Sequence, residues 1–330
     1  MSIAIDATQG SNLSHASSGS SVIRGGRSHW ENLNRAPFTF RHNLENHPLF
    51  EIAKLANVAE AAIEKRGPRK LYIPDDEELN KLPWNKRLPE ALRRIEGGSL
   101  WLKLSGLQEL HPDYEDLLQT FLAEMEDLSG LPLRRTATWA GLTVFIASPN
   151  VVTPYHFDHD TNFLFQIKGE KDVYVFDRSV VTEEEIEHFY TGEAMAGKYR
   201  DGTMDKSEAF HLTPGVAVHH PPLAPHLVKN GENVSISLSM FYADGFLDER
   251  AKIYQANYCL RRLGLKPHPP GESVFRDRLK STAIGTFSKS KPKTQDELLF
   301  SGIKRVLSPQ RGANWIVRRA LSGRNANDTH

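Results

Sequence analysis

His156 and Asp158 stand two residues apart in the run Thr153-Pro-Tyr-His-Phe-Asp-His-Asp-Thr-Asn. In an extended chain alternate side chains share a face, so an imidazole and a carboxylate project together and can grip one metal ion. A third donor is needed, and the sequence offers His226 in Pro-Pro-Leu-Ala-Pro-His-Leu-Val, with His219 and His220 as rivals. Two prolines follow His219 and His220 and end their strand, whereas His226 sits where a further strand begins. Two histidines and one carboxylate occupy one face of an octahedron and leave three positions open, a donor set suited to non-heme Fe(II) and O2 chemistry. His159 and Asp160 compete for the same ion. His159 adjoins Asp158 and would point to the opposite face. Asp160 has the right parity, but it lies about 13 Å along the strand from His156.

The elements that must position these groups read as strands. Trp139-Ala-Gly-Leu-Thr-Val-Phe-Ile-Ala147 is a strand, and Ser148-Pro-Asn150 turns the chain into the His156 segment. Pro154 fixes φ and removes a backbone donor, as expected at the mouth of a sheet. Asn162-Phe-Leu-Phe-Gln-Ile, the turn Lys-Gly-Glu-Lys171 and Val173-Tyr-Val-Phe176 form a hairpin. Pro214-Gly-Val-Ala-Val-His-His makes another strand, and Val234-Ser-Ile-Ser-Leu-Ser-Met-Phe-Tyr242 alternates as a half-buried one should. Lys171 opens the second arm of the hairpin and Lys168 closes the first. A buried lysine needs an anionic partner, and Lys168 reads as a surface residue.

Taken together, Thr153-Pro-x-His156-x-Asp158, Asn162-Phe, Gln166-Ile-Lys-Gly-x-Lys171 and His226 ahead of Ser-Ile-Ser-Leu-Ser make the stretch from about 140 to 243 similar to a known family. It resembles the JmjC/cupin-like Fe(II)- and 2-oxoglutarate-dependent oxygenases, especially their small hydroxylase branch. The resemblance covers about a third of the chain. It implies a mainly β fold with flanking helices, a double-stranded β-helix or jelly-roll barrel. It also implies that His156, Asp158 and His226 hold iron. Lys171 would pair with the distal carboxylate of 2-oxoglutarate, with Thr153 and Asn162 assisting. Ser239 stands on the last core strand, where this branch often has Asn, and is taken with the cosubstrate residues.

The rest of the chain reads as scaffold and appendage. Residues 1–27 are rich in Ser and Gly and are expected to be disordered, or to order only against a partner. Residues 28–135 form a mixed, largely helical region packed on the barrel. It holds helical patterns over Pro48–Lys65, Leu88–Ile95 and Pro112–Leu128, a short strand at 71–73 and an edge strand over Ser99–Leu104. The acidic run Asp75-Asp-Glu-Glu78 reads as a solvated turn. The barrel takes 136–246, interrupted by an insertion at 181–212 that begins with a capped helix at Thr182. Such an insertion is where a substrate loop would lie, so Tyr190, Tyr199 and Arg200 are candidate substrate contacts, together with Asp160. Residues 247–330 form a helical region with a basic tail: residues 276–324 carry twelve Lys or Arg against three acids. Helical segments near 296–307 and 313–321 suggest packing or a homodimer.

Composition narrows the function classes. The 330 residues carry zero formal net charge, 39% hydrophobic and 25% charged residues, as in a soluble globular protein. Bulk charge gives no sign of a nucleic-acid partner. No apolar run reaches the roughly 20 residues of a membrane span, and no secretory signal opens the chain. The single cysteine, Cys259, allows no intrachain disulfide and reads as a packed thiol, which suits a cytoplasmic location. The expected chemistry is oxidative decarboxylation of 2-oxoglutarate to succinate and CO2, coupled to hydroxylation of a peptide side chain or a small metabolite. One rival is a metal-binding cupin that senses a ligand and regulates transcription, supported by the basic tail. Another is a Zn or Mn cupin isomerase or hydrolase, which would have no use for Lys171.

Overall fold

The computed structural model describes residues 21–66, 71–72 and 76–308. The expected disorder of residues 1–20, the third residue of the 71–73 strand, Asp75 and the helix at 313–321 lie outside the described residues. The N-terminal region contains β1 (Ile23–Arg24), β2 (Phe38–His42), α1 (Ile52–Arg66), β3 (Leu71–Tyr72), α2 (Glu77–Asn80), α3 (Trp84–Arg94), β4 (Trp101–Ser105), α4 (Pro112–Ser129) and α5 (Leu133–Thr136). Eight strands follow: β5 (Ala137–Ala147), β6 (Val152–His156), β7 (Thr161–Lys168), β8 (Lys171–Phe176), β9 (Ser207–Leu212), β10 (Val216–His220), β11 (His226–Asn230) and β12 (Ser235–Asp244). Helix α6 (Glu183–Phe189) lies between β8 and β9. The described chain ends with α7 (Gly245–Arg262), α8 (Val274–Phe287) and α9 (Gln295–Val306).

Two antiparallel sheets carry the architecture. One runs β1-β2-β10-β7-β12-β5-β4-β3, the other β6-β11-β8-β9. Within them the eight strands from β5 onward lie in the order 10-7-12-5 over 6-11-8-9. This interleaving is the double-stranded β-helix, with helices packed outside.

Period-two alternation divides each core strand between an outer and an inner face. On β7 and β12, Phe163, Phe165, Ile167, Ile236, Leu238, Met240 and Tyr242 join the main hydrophobic core with α4 and the N-terminal segment. Phe121 of α4 meets Phe163 and Phe165 edge-on at ring distances of 5.2 and 5.1 Å. The alternate residues face the second sheet. Leu164 packs there with Val173, Val175, Val218 and Val228. Its neighbours on that face are polar: Gln166 binds Ser235 at 3.0 Å and Ser237 at 2.7 Å, and Ser239 binds Asn162 at 2.9 Å. A sheet built only for packing would place apolar side chains here, because buried polar groups cost free energy unless each is paired.

Two sequence expectations are corrected. Residues 21–27 are not all disordered: Val22 and Ile23 are buried, their N–H groups donate to Glu124, and Ile23–Arg24 pairs with β2. The Ser/Gly composition hid this two-residue apolar anchor. The insertion expected at 181–212 ends at Lys206, because Ser207–Leu212 is the core strand β9, paired with β8. Its sequence, Ser-Glu-Ala-Phe-His-Leu, is mostly solvent-facing and lacks the apolar alternation that marks its neighbours. Strand β2 extends the large sheet beside β10 and was also not expected.

The β7–β8 turn sets the position of Lys171. Gly169 sits at φ 72°, and a Cβ there would come within 2.5 Å of the Val234 carbonyl oxygen. Gly169→Ala is expected to destabilise the fold by at least about 1–3 kcal/mol, the range for a strained backbone position. Urea unfolding midpoints would measure this, and an unchanged midpoint would contradict it.

Candidate metal centre

Strand register brings the donors together. His226 of β11 lies directly opposite His156 of β6, and their ring centroids are 4.2 Å apart. Asp158, just past β6, completes the group: one donor atom from each of His156, Asp158 and His226 lies within 4.8 Å of the others. The Nε2 of His226 is 3.7 Å from Asp158 Oδ2. Among the described residues this is the only cluster of three or more such donors.

Both imidazoles are oriented by the same device. His156 Nδ1 lies 2.7 Å from the Pro154 carbonyl, and His226 Nδ1 lies 3.1 Å from the Ala224 carbonyl. A carbonyl can only accept, so each Nδ1 carries a proton, which leaves Nε2 as the ring nitrogen free to bind an ion. Hydrogen bonding of the remote nitrogen is the usual way a metal-binding histidine is fixed in tautomer and orientation. Burial and the adjacent His156 lower the His226 pKa to about 4, although Asp158 and the Ala224 carbonyl act in the other direction. Burial pushes the Asp158 carboxyl up, but His156, His226, Lys103 and a hydrogen bond from Asn162 outweigh it and hold the group below its ordinary range. The centre therefore presents a neutral His226 imidazole and a carboxylate near neutral pH.

The turn after β6 is clamped from behind. Phe157 is buried with Ile186, Tyr190, Leu223, Ala251 and Tyr254 in a cluster between α6 and α7. The Asp158 carbonyl accepts from Leu223 N–H at 2.8 Å. His159 is buried facing the same helices: its Nδ1 accepts the Tyr190 hydroxyl at 2.8 Å, and its Nε2–H donates to Asp248 at 3.2 Å. The Gln295 side chain of α9 donates to Asp160. With Phe157 and His159 held outward, Asp158 is turned inward.

The structure separates the rival ligands. Both His219 nitrogens are used, one accepting from Asn34 N–H and one donating to the Asn162 carbonyl. His159 is engaged with the helices. Asp160 is held by Gln295, and burial raises its pKa to about 6. His220 lies beside His226, with 4.6 Å between ring centroids, but it is not part of the three-donor cluster.

Lys171 points into the space between the sheets. It is 5% exposed, opposite Asn230 of β11, and in line with Val173 and Val175. Burial alone lowers its pKa to about 7. No carboxylate pairs with it among the described residues. Thr153 is opposite Val228, while His156 is opposite His226, so the register slips between them. Three residues apart, Thr153 and His156 would face opposite ways in a regular strand; an irregularity at this point allows both to face the interior. Asn162 and Ser239 are committed to one another and, through the Asn162 amide N–H, to Asp158. Lys168 is exposed.

The substrate candidates fare differently. Tyr190 is 1% exposed with its hydroxyl on His159, which it buttresses. Arg200 is held by Glu185 at 2.6 Å. Tyr199 is half-exposed, its ring edge-on to Tyr155. Two neighbours of the centre escaped the sequence analysis. Lys103 of β4 reaches over the Phe145 ring and helps hold Asp158 ionised. Asn230 is buried with its Oδ1 unpartnered among the described residues. The alternations Leu102-Lys103-Leu104 and His226-x-Val228-x-Asn230 carried the signal for both.

The donor set and the buried ammonium suit two groups. Two imidazole nitrogens and one carboxylate fit ferrous iron with open positions. An unpaired lysine in the same interior fits the free carboxylate of a keto-diacid.

No family model matches the chain, and no curated protein matches its sequence. Among solved structures, the X-ray structure of E. coli ycfD is similar over 88% of this chain and 68% of that one, at 15% identity and a TM-score of 0.43. YcfD, described as a ribosomal oxygenase from Escherichia coli in complex with cobalt and 2-oxoglutarate, is similar over 87% and 67%, at 15% identity and a TM-score of 0.41. The DMSP lyase DddQ from Ruegeria pomeroyi DSS-3 is similar over 32% and 39%, at 16% identity and a TM-score of 0.22. The chain's own strand order defines the fold: a mainly antiparallel double-stranded β-helix with flanking helices.

Proposed function

We propose that this protein is an Fe(II)- and 2-oxoglutarate-dependent dioxygenase, a hydroxylase of a peptide side chain or a small metabolite. The observation that carries this is the pairing of two features in one interior: the His156/Asp158/His226 donors within 4.8 Å, and the buried Lys171, unpaired among the described residues. When bound, ferrous iron with 2-oxoglutarate and O2 supplies the oxidising power, and the cosubstrate leaves as succinate and CO2. The residues do the rest. His156, Asp158 and His226 would hold the ion. Asn162, itself held by Ser239, fixes the Asp158 carboxylate; Thr153 and Lys171 would receive the distal carboxylate, and the Val173/Val175/Val228 surface would exclude water.

A zinc or manganese cupin hydrolase would leave Lys171 without a role, so the structure gives it no support. The ligand-sensing regulator rests on a basic tail whose last part, beyond residue 308, lies outside the described residues.

The test is succinate formation by the purified protein with Fe(II), 2-oxoglutarate and O2, first without and then with candidate substrates. Turnover that needs both Fe(II) and O2 is expected. Absence of any 2-oxoglutarate consumption, with or without substrate, would overturn the proposal.

A further inference from the structure

His220 is the part of this centre that the proposed chemistry leaves unused. It ends β10, lies opposite Asn162 of β7 and is 3% exposed. Both of its ring nitrogens are buried without a partner among the described residues. Its neighbour His219 is equally buried, yet both nitrogens there are satisfied, by the Asn34 N–H and the Asn162 carbonyl. Alternation explains the contrast. His219 faces the packed core on the outer side of the sheet, and His220 faces the interior between the sheets, its ring against that of His226 at 4.6 Å and 34°.

A neutral imidazole offers one donor and one acceptor. Leaving both unmade in a buried place is destabilising, and an apolar residue of similar size would serve packing better. The orphaned nitrogens therefore point to a group that enters the interior and pairs with them. The metal is not that group, since His220 contributes no atom to the three-donor cluster. The ring does border His226 and so the coordination positions next to it.

We propose that His220 contacts the cosubstrate: its ring N–H donates to an oxygen at the metal-bound end of 2-oxoglutarate. This rests on the function proposed above and adds a residue to it. No bond is made or broken in this role. The donor holds the keto-acid end in place while Lys171 holds the far end.

The experiment is anaerobic calorimetry on three proteins: wild type, His220→Leu, which keeps the bulk and removes both nitrogens, and His220→Gln, which restores a donor. Fe(II) is titrated first, then 2-oxoglutarate into the Fe(II)-loaded protein. For His220→Leu, Fe(II) affinity is expected to stay within about twofold while 2-oxoglutarate affinity falls about tenfold or more, the loss of one hydrogen bond to a charged acceptor. His220→Gln should recover part of that loss. Without ligands, His220→Leu should melt no lower than wild type, because it removes unpaired buried polar atoms. Unchanged 2-oxoglutarate affinity, a parallel fall in Fe(II) affinity, or loss of folding in His220→Leu would each overturn the assignment. Failure of the wild type itself to bind Fe(II) and 2-oxoglutarate would overturn the function and this contact with it.

Discussion

Asp158→Ala is expected to weaken Fe(II) binding by more than about 100-fold and to abolish succinate formation, since loss of even a supporting partner around a metal typically costs 10–100-fold. Asp158 supplies the only anion among the three donors. Without it a dication would face imidazoles alone, with the Lys103 ammonium still close enough to act on the site. The fold should survive, because the turn is held by Phe157, by His159 and by the Asp158 backbone carbonyl rather than by the carboxylate. Calorimetric titration with Fe(II), alongside circular dichroism, separates loss of metal from loss of structure. His156→Ala and His226→Ala should behave alike, since each removes one Nε2 from the same cluster. Retained Fe(II) affinity in any of the three would mean that the ion binds elsewhere.

Lys171→Met is expected to have opposite effects on cosubstrate and on stability. Removing one partner of a buried charge pair costs about 3–5 kcal/mol, which corresponds to a rise of roughly a hundredfold to a few thousandfold in the 2-oxoglutarate dissociation constant. The same change removes a buried ammonium that has no ionic partner among the described residues, so the ligand-free variant should melt higher. The pH dependence carries a matching sign. The folded pKa of Lys171 is depressed to about 7 from an ordinary value of 10.5. Between those values the unfolded chain binds more protons than the folded one, so this group makes stability rise with pH across that window. The wild type should show this rise and Lys171→Met should lack it. A carboxylate bound beside Lys171 favours the charged form, so 2-oxoglutarate binding above about pH 7 should take up a proton. Titrations in buffers of different ionisation enthalpy measure that uptake. Equal 2-oxoglutarate affinity in the variant would show that Lys171 is not the anchor.

The donors were legible because strand alternation is a short-range property. His156 and Asp158 share a face by parity alone, and the Ser-Ile-Ser-Leu-Ser strand announced its two faces. Choosing His226 over His219 and His220 was harder, because that choice depends on cross-strand register. In the structure His226 lands opposite His156, and the Ala224 carbonyl fixes its tautomer. The roles of Tyr190 and Arg200 were not legible, since each depends on a partner far away in sequence or across a loop: Tyr190 on His159, Arg200 on Glu185. Strand β9 escaped because its side chains are mostly outside the core, so backbone pairing with β8, not hydrophobic patterning, holds it in place. The Ile23–Arg24 strand escaped because its anchor is a carboxylate about 100 residues on, Glu124.

The most direct measurement is titration of 2-oxoglutarate under anaerobic conditions into three samples: metal-free protein, Fe(II)-loaded protein and Fe(II)-treated Asp158→Ala. If the two imidazoles and the carboxylate hold iron in front of Lys171, saturable one-to-one binding appears in the second sample and is at least about tenfold weaker in the other two. Equal binding in all three samples, or none in any, would contradict the account.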